Sequence, residues 1–139
     1  MFGIVVIGHG KFASGITSSL NLLIGKLDNY VAIDFLENDD INTLEIKFKE
    51  NLIKLKDCKK IAIYTDLRGG TPFNIAIKEK IINERLEVIG GANLTSIISF
   101  AMGRLLSENF NEMINNSIIE GKEELLIYNN IIENNNFEE

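Results

Sequence analysis

The chain contains 139 residues, of which 45% are hydrophobic and 24% are charged, and its formal net charge is −6. This length is typical of one domain that folds without a metal or a disulfide staple, and the acidic balance argues against binding to nucleic acid or to an anionic membrane. Because no apolar stretch reaches the ~18 residues of a membrane span and Cys58 is the only cysteine, we expect a cytoplasmic domain without membrane insertion.

The first half of the chain alternates between short apolar runs and segments of helical spacing. Residues 2–7 predict a buried strand, since apolar residues occupy both of its faces. Residues 12–24 predict a helix with one apolar stripe, and residues 30–35 predict a second strand. An acidic pair at 39–40 is placed to start a second helix at 41–55.

The second half continues the same alternation. Residues 60–65 predict a third strand, and a third helix should follow with Thr71 as its N-cap and Pro72 in its first turn. Residues 86–89 predict a fourth strand. Two further helices follow, and we expect the second of them to end at Gly121.

The order of these elements predicts an α/β fold. Strands that alternate with helices imply right-handed crossovers and an open, doubly wound, mostly parallel sheet with helices on both faces. We expect four parallel strands in the order 2-1-3-4, within a domain that covers residues 1–130. Residues 125–128 predict a short fifth strand, either antiparallel or paired with another chain, and residues 131–139 form a polar tail.

Three of the predicted strands end in glycine-rich, polar loops, at residues 8–10, 66–71 and 90–93. Because the carboxyl ends of parallel strands open on one edge of the sheet, His9 and Asp66 are expected to meet there. His9 is the only histidine of the chain. A zinc or iron site is therefore not expected, since it would need more imidazole or thiolate ligands.

His9 is a candidate nucleophile, because its neutral ring is available near pH 7 and a helix start, which favours anions, follows it. Asp66 can accept a hydrogen bond from one ring nitrogen and leave the other free to attack. Two structural alternatives stay open. His9 can simply bond a backbone carbonyl, and Asp66 can cap its own loop by accepting from the amides of Arg68 or Gly69.

The glycine-rich loops supply further candidates for contact with an anion. The Thr71 hydroxyl can cap a helix or bind a phosphoryl group at the same place. Gly10 and Gly70 permit a close approach of the backbone, although a tight turn explains glycine equally well. Arg68 can meet a phosphate with two hydrogen bonds or lie solvated at the surface.

Three segments carry a resemblance to a known family: GHGKFASG at 8–15, DLRGGTPFN at 66–74 and GGANL at 90–94. In this order they resemble the enzyme IIA component of the mannose-type phosphoenolpyruvate-dependent sugar phosphotransferase system, over residues 1–128. The resemblance implies a phosphohistidine carrier that needs no cofactor. His9 would accept a phosphoryl group from the histidine-containing phosphocarrier protein and pass it to the enzyme IIB component.

The resemblance also implies roles for the neighbours of the histidine. Asp66 matches the aspartate that orients the ring, and Thr71 matches a serine or threonine position that can bond the phosphate. We place Gly10 and Gly70 beside the phosphate, together with Thr71. Arg68, Phe12 and Phe73 are weaker candidates, for docking the partner, although phenylalanines at helical spacing more often lie in the core.

The family further implies a homodimer in which a C-terminal strand is exchanged, which would give residues 125–128 a partner. One departure concerns the segment after GGANL, where relatives commonly have proline and this chain has Thr95 and Ser96. We expect this to affect the local loop and not the chemistry. Since no linker to a IIB domain is present, we expect enzyme IIB to be a separate protein.

Three other classes of protein remain as alternatives. A receiver domain would be phosphorylated on Asp66, but residues 8–10 replace the acidic pair that such a domain needs after its first strand. The phosphocarrier subunit of dihydroxyacetone kinase shares the fold and an N-terminal histidine, and the GGTPFN segment favours the sugar system. A flavodoxin-like nucleotide or flavin binder would need a phosphate fingerprint that this sequence lacks.

Overall fold

The computed structural model describes residues 1–129, so the predicted tail at 131–139 lies outside the described residues. Four strands and five helices follow one another in this part of the chain. In chain order they are β1 (Gly3–His9), α1 (Phe12–Ile24), β2 (Tyr30–Phe35), α2 (Ile41–Ile53), β3 (Ile61–Thr65), α3 (Thr71–Ile82), β4 (Leu86–Ile89), α4 (Leu94–Gly103) and α5 (Phe110–Glu124).

The strands form one parallel sheet in the order β2-β1-β3-β4, which confirms the predicted fold class and topology. Ile7 of the central strand β1 pairs with Ile33 of β2 and with Thr65 of β3. Apolar side chains on both faces of β1 are buried, because helices cover both sides of the sheet. One core cluster includes residues of α1, α4 and α5, and the other includes residues of α2 and α3.

The start of α3 differs by one residue from the prediction. Gly70 is the N-cap, with extended backbone angles (φ −76°, ψ 173°), and its carbonyl accepts a hydrogen bond from the Asn74 amide at 2.9 Å. Thr71 is already helical, and no side chain caps this helix. The prediction of Thr71 as N-cap is therefore wrong, because the helical backbone begins one residue earlier and the threonine hydroxyl is not used for capping.

The end of α5 also differs from the prediction, because the helix continues past Gly121 to Glu124. A Cβ at Gly121 would lie 2.9 Å from the Ser96 Cβ and 3.1 Å from the Asn93 Oδ1. The Gly121 carbonyl accepts a hydrogen bond from the Asn93 side chain at 2.9 Å. This glycine serves the close packing of α5 against the start of α4 and does not terminate the helix.

The predicted fifth strand is not formed within this chain. Residues 125–127 belong to no helix or strand, and the side chains of Leu125 and Ile127 are 90% and 69% exposed. In the described part of the chain, β4 pairs only with β3 and β2 only with β1, so each of these two outer strands has an open edge. Among residues 1–129, no helix combines the length and the apolar character that crossing a bilayer requires.

Candidate functional site

His9 and Asp66 lie at the carboxyl ends of the neighbouring strands β1 and β3, and their side chains meet. The His9 Nδ1 is 2.9 Å from the Asp66 Oδ2, and the His9 backbone amide donates to the same oxygen at 2.7 Å. The Leu67 amide donates to the Asp66 Oδ1 at 2.7 Å, so Leu67 takes the place that the capping alternative gave to Arg68 or Gly69. Both carboxylate oxygens are thus engaged, and the carboxylate holds the histidine by its backbone and by its ring.

The hydrogen bonds around Asp66 also determine its charge. Burial would raise the pKa of the Asp66 carboxyl, but the hydrogen bonds from the amide and ring of His9, the charge interaction with that ring and the hydrogen bond from Leu67 together lower this pKa below its ordinary value. The carboxylate is therefore ionised at neutral pH and accepts a hydrogen bond from the N–H at Nδ1 of the ring. In the neutral tautomer that results, the lone pair lies on Nε2.

The imidazole is accessible as well as fixed. Its side chain is 45% exposed, whereas that of Asp66 is 15% exposed. Among residues 1–129, Nε2 has no hydrogen-bond partner. The arrangement therefore presents one unprotonated ring nitrogen to an incoming electrophile while the other nitrogen is held by a carboxylate.

Two glycines allow the histidine and the aspartate to come this close. A Cβ at Gly70 would lie 2.8 Å from the His9 Cε1 and 3.5 Å from Nε2. A Cβ at Gly8 would lie 2.9 Å from the Asp66 Cγ. Since real Cβ atoms do not make such short contacts, a side chain at either position would push the pair apart. The ring of Phe35 lies near the His9 ring, with centroids 6.0 Å apart and planes tilted by 47°.

The start of α3 lies against the imidazole, because its N-cap Gly70 is in contact with the ring. Pro72 has no N–H, and no acidic side chain lies in the first turn. Among the described residues, the amides of Thr71 and Phe73 and the Thr71 hydroxyl have no protein acceptor or donor. Free donors at a helix start form an environment that favours a phosphoryl group.

The start of α1 is different, although it follows His9 directly in the sequence. Its N-cap Lys11 provides no side-chain hydrogen bond. The carboxylate of Asp34, at the end of β2, accepts from the Ser14 amide at 2.9 Å and so occupies this helix start. The anion-favouring position that the sequence suggested behind His9 is thus filled by the protein's own carboxylate.

The remaining candidates are distributed around this centre. Gly10 has a positive φ of 57°, and its amide donates to the Phe35 carbonyl at 2.7 Å. Phe12 is half-buried and packs against the core cluster of α1, α4 and α5. Arg68 is exposed, and it lies with the half-buried Phe73 against the backbone of Gly90. The two phenylalanines are therefore mainly packing residues in this structure.

Sequence reasoning did not single out four residues at or just after the ends of β2 and β3. Asp34 and Phe35 end β2, which is adjacent to β1 in the predicted strand order, so that order was the signal that could have found them. Leu36 and Leu67 are 41% and 61% exposed. They follow Phe35 and Asp66 in the chain, so exposed apolar side chains come directly after two residues that contact the histidine. Within residues 1–129, no three His, Cys, Asp or Glu side chains are grouped to hold a metal ion.

Comparison with known proteins identifies similar sequences and similar structures. The sequence model of the family described as the PTS system fructose IIA component matches residues 3–118. The PTS system mannose-specific EIIAB component of Escherichia coli strain K12 is 32% identical over 120 residues, which are 86% of this chain and 37% of that protein. The chain thus spans little more than a third of that relative.

Two further comparisons concern proteins of about the same length as this chain. The PTS system fructose-specific EIIA component of Bacillus subtilis strain 168 is 26% identical over 98 residues, covering 70% of this chain and 67% of that protein. The crystal structure of the phosphotransferase system component EIIA from Streptococcus agalactiae has a TM-score of 0.85 and 28% identity, and the match covers 94% of this chain and 99% of that chain.

Proposed function

Because this chain belongs to the family of fructose- and mannose-type IIA components of the sugar phosphotransferase system, whose role is phosphoryl transfer, we propose that His9 is the residue that carries the phosphoryl group. One observation supports this assignment above the others. The Asp66 carboxylate is 2.9 Å from Nδ1 of His9, which leaves Nε2 of an exposed ring as the free nucleophile. The donor that we propose is the histidine-containing phosphocarrier protein, and the acceptor is an enzyme IIB component.

The transfer exchanges one nitrogen–phosphorus bond for another. The lone pair of the His9 Nε2 attacks the phosphorus of the donor's phosphohistidine in line, and the bond to the donor ring breaks with its electron pair returning to that ring. The positive charge that develops on the His9 ring is stabilised by Asp66, which keeps the proton on Nδ1. The same steps in reverse order pass the group to the acceptor histidine of enzyme IIB.

The start of α3 is our candidate for holding the phosphoryl oxygens. Gly70 touches the edge of the ring that carries Nε2, and Thr71 follows it with an amide and a hydroxyl that bond no described residue. Both groups can donate to the oxygens of a phosphoryl group as negative charge is distributed over them. Gly10 directly follows His9, carries no side chain and has a positive φ of 57°, and we include its backbone among the groups beside the phosphoryl group.

The partner proteins would dock on the surface around the ring. Leu36 and Leu67 are exposed beside residues that touch the histidine, and Arg68 is exposed next to Leu67. An apolar contact with a polar rim is the usual anatomy of a docking surface. We therefore assign the docking contact mainly to the two leucines and Arg68, and only a minor part to Phe12 and Phe73.

A homodimer is the second part of the proposal. β4 has an open edge among the described residues, and a groove along it is lined by Arg68, Phe73, Gly90 and Ile118. An open strand edge readily accepts another strand. We propose that the exposed segment 125–128 of a second copy pairs with β4, which would cover this edge and bury the apolar side chains of the segment.

Labelling with phosphate tests the carrier function. The protein is incubated with radiolabelled phosphoenolpyruvate, enzyme I and the histidine-containing phosphocarrier protein, and the expected result is a label that is lost in acid. His9→Ala should take up no label while it retains the thermal unfolding of the wild-type protein. A label of normal extent on His9→Ala would contradict the proposal. An acid-stable label lost in Asp66→Ala would instead indicate a receiver-like aspartyl phosphate.

A role in sugar transport is favoured over the dihydroxyacetone kinase alternative by the names of the relatives. The curated proteins that match are described as mannose-, fructose- and sorbose-specific components. The carrier chemistry proposed for His9 is the same in either setting. Transfer from the labelled protein to an enzyme IIB component of a mannose-type system is therefore the assay that separates them.

A further inference from the structure

Asp34 occupies an unusual place for a carboxylate that is not part of the proposed nucleophilic pair. It is paired with Gly8 in the sheet register, so it lies one strand away from the residue that precedes His9. Its Oδ1 accepts a hydrogen bond at 2.9 Å from the Ser14 amide, in the first turn of α1. A capping side chain usually comes from the residue that begins the helix. Here it comes from a different strand.

Other contacts hold Asp34 in this position. The Lys47 ammonium donates to the Asp34 backbone carbonyl at 3.1 Å and to the Asp39 carboxylate at 2.6 Å. The next residue, Phe35, lies near the His9 ring, and its carbonyl accepts from the Gly10 amide. The end of β2 is therefore held by hydrogen bonds from α2 and from the loop that carries the histidine.

The charge of Asp34 is not neutralised by an ion pair in the described part of the chain. Lys47 is the nearest cation by contact, but its ammonium bonds the carboxylate of Asp39 and only the backbone of Asp34. No other Lys, Arg or His among residues 1–129 forms an ion pair with Asp34. A negative charge therefore remains at the helix start that directly follows His9.

We propose that Asp34 is a positioning residue that directs the phosphoryl group of phosphorylated His9 toward the start of α3 and makes that group easier to pass on; this inference rests on the function proposed above. The start of α1 follows the histidine loop in the chain and the start of α3 lies against the ring through Gly70, so both helix starts can act on a phosphoryl group. The start of α1 holds a carboxylate that repels it, whereas the start of α3 holds free donors. The repulsion raises the free energy of the phosphorylated protein and so weakens the retention of the phosphoryl group. A carrier requires such weak retention, because it must release the group to the next protein.

Asp34→Asn separates the charge of this residue from its hydrogen bond. The asparagine oxygen can still accept from the Ser14 amide, but the negative charge is lost. The matched control is Asp40→Asn, because the Asp40 carboxylate also caps a helix start, as the N-cap residue of α2, and accepts from the Thr43 amide at 2.7 Å. Both substitutions remove one charge and keep one cap, so only the position of the charge differs.

The measurement is the equilibrium distribution of the phosphoryl group between the phosphocarrier protein and this protein. We expect Asp34→Asn to shift it toward the phosphorylated form by about threefold to tenfold at low ionic strength, and by less as salt is added. Asp40→Asn should leave the distribution unchanged. Asp34→Ser, which also keeps a neutral capping oxygen, should shift it like Asp34→Asn and serves if that variant does not fold.

The wild-type protein is measured first, so that the two proposals fail separately. If the wild type takes no label on His9, the proposed function is wrong, whatever Asp34 does. If it is labelled and both Asp34 variants match the wild type, or Asp40→Asn shifts the distribution equally, then Asp34 is only a helix cap. Either of those results overturns this inference and leaves the carrier function standing.

Discussion

At the scale of single residues, the site depends on which ring nitrogen of His9 is hydrogen-bonded, Nδ1, and which is left free, Nε2. The carboxylate of Asp66 bonds Nδ1 and the amide of the same histidine. It therefore fixes the tautomer, the ring orientation and the backbone together. A residue with three such functions should be difficult to replace even by its own amide.

Asp66→Asn should slow phosphoryl transfer to the protein by about tenfold to 100-fold, because a hydrogen bond to a charged group contributes about 1.5–3 kcal/mol. The fold should be retained, since the asparagine can still accept from the Leu67 amide. Rapid-quench measurement of labelling gives the rate. Asp57→Asn, the same change outside the site, is the control, and equal rates for the two variants would show that the ring does not need its carboxylate.

Gly70→Ala should also slow transfer, for a steric reason. The new Cβ would lie 2.8 Å from the His9 Cε1, so the ring must move away from Asp66 or from α3. Gly15→Ala is the control, because a Cβ there meets nothing within 4 Å. We expect the control to transfer normally and to be more stable by about 0.5–1 kcal/mol, since alanine favours a helix interior. Unimpaired transfer in Gly70→Ala would contradict the close contact.

The lowered pKa of Asp66 predicts how stability depends on pH. The carboxyl has a lower pKa in the folded protein than in the unfolded chain, where it is about 3.9. Its contribution to the free energy of unfolding is therefore fully present above about pH 5 and is lost as the pH falls through the folded value. Urea unfolding should show a difference in stability between the wild type and Asp66→Asn at pH 5 that shrinks in more acidic solution. A difference that instead grows below pH 5 would mean that folding raises the pKa of this carboxyl, which would contradict the prediction.

The part of the site that lies at the ends of neighbouring strands was predictable from the sequence. His9 and Asp66 follow recognisable buried strands, so their meeting follows from a parallel sheet. The capping role of Asp34 was not predictable in the same way, because its hydrogen bond to Ser14 joins two elements and leaves no local pattern. The exposure of Leu36 and Leu67 likewise depends on how their loops fold.

At the scale of elements, the strands and the first two helices were recognisable because their apolar periods are regular. Two of the errors, at the start of α3 and at the end of α5, involve glycine. Gly70 caps a helix where a threonine was expected to do so, and Gly121 lies inside a helix that it was expected to end. In each case the glycine is needed for a close contact, with His9 or with Ser96, which a single sequence does not reveal.

Gly121→Ala tests the contact between α5 and the start of α4. Its Cβ would lie 2.9 Å from the Ser96 Cβ, so we expect a loss of about 1–3 kcal/mol in the free energy of unfolding despite the better helix propensity of alanine. Gly103→Ala, whose Cβ would meet Met113 at an ordinary 3.5 Å, is the matched control. Chemical denaturation measures both. A Gly121→Ala protein as stable as the control would show that the helices can separate without cost.

At the scale of the whole molecule, two features have no partner within residues 1–129. One is the unpaired edge of β4, and the other is the exposed apolar segment 125–128. The sequence predicted a strand in this segment, but within residues 1–129 residues 125–127 belong to no helix or strand. The proposed pairing with a second copy would supply the partner strand that this segment lacks here. The fold of one chain was predictable from its apolar periods, whereas a contact between two chains, such as the proposed one, is not encoded by periodicity.

We expect light scattering coupled to size-exclusion chromatography to give the mass of a dimer for the wild-type protein. Ile127→Asp should shift the protein toward the monomer, because a charge would be buried in the exchanged segment. Leu22→Asp, at a position of α1 that is 88% exposed, is the matched control and should remain dimeric. A monomeric wild type would contradict the dimer, and so would Ile127→Asp protein that remains fully dimeric.

The central claim concerns one atom, Nε2 of His9, and phosphorus NMR of the phosphorylated protein can identify that atom. Because Nδ1 is bonded to Asp66, we predict a single phosphohistidine signal with the chemical shift of an Nε2-linked phosphoryl group, which disappears in acid and is absent from His9→Ala. A signal from an Nδ1-linked group, or from an aspartyl phosphate, would contradict the claim.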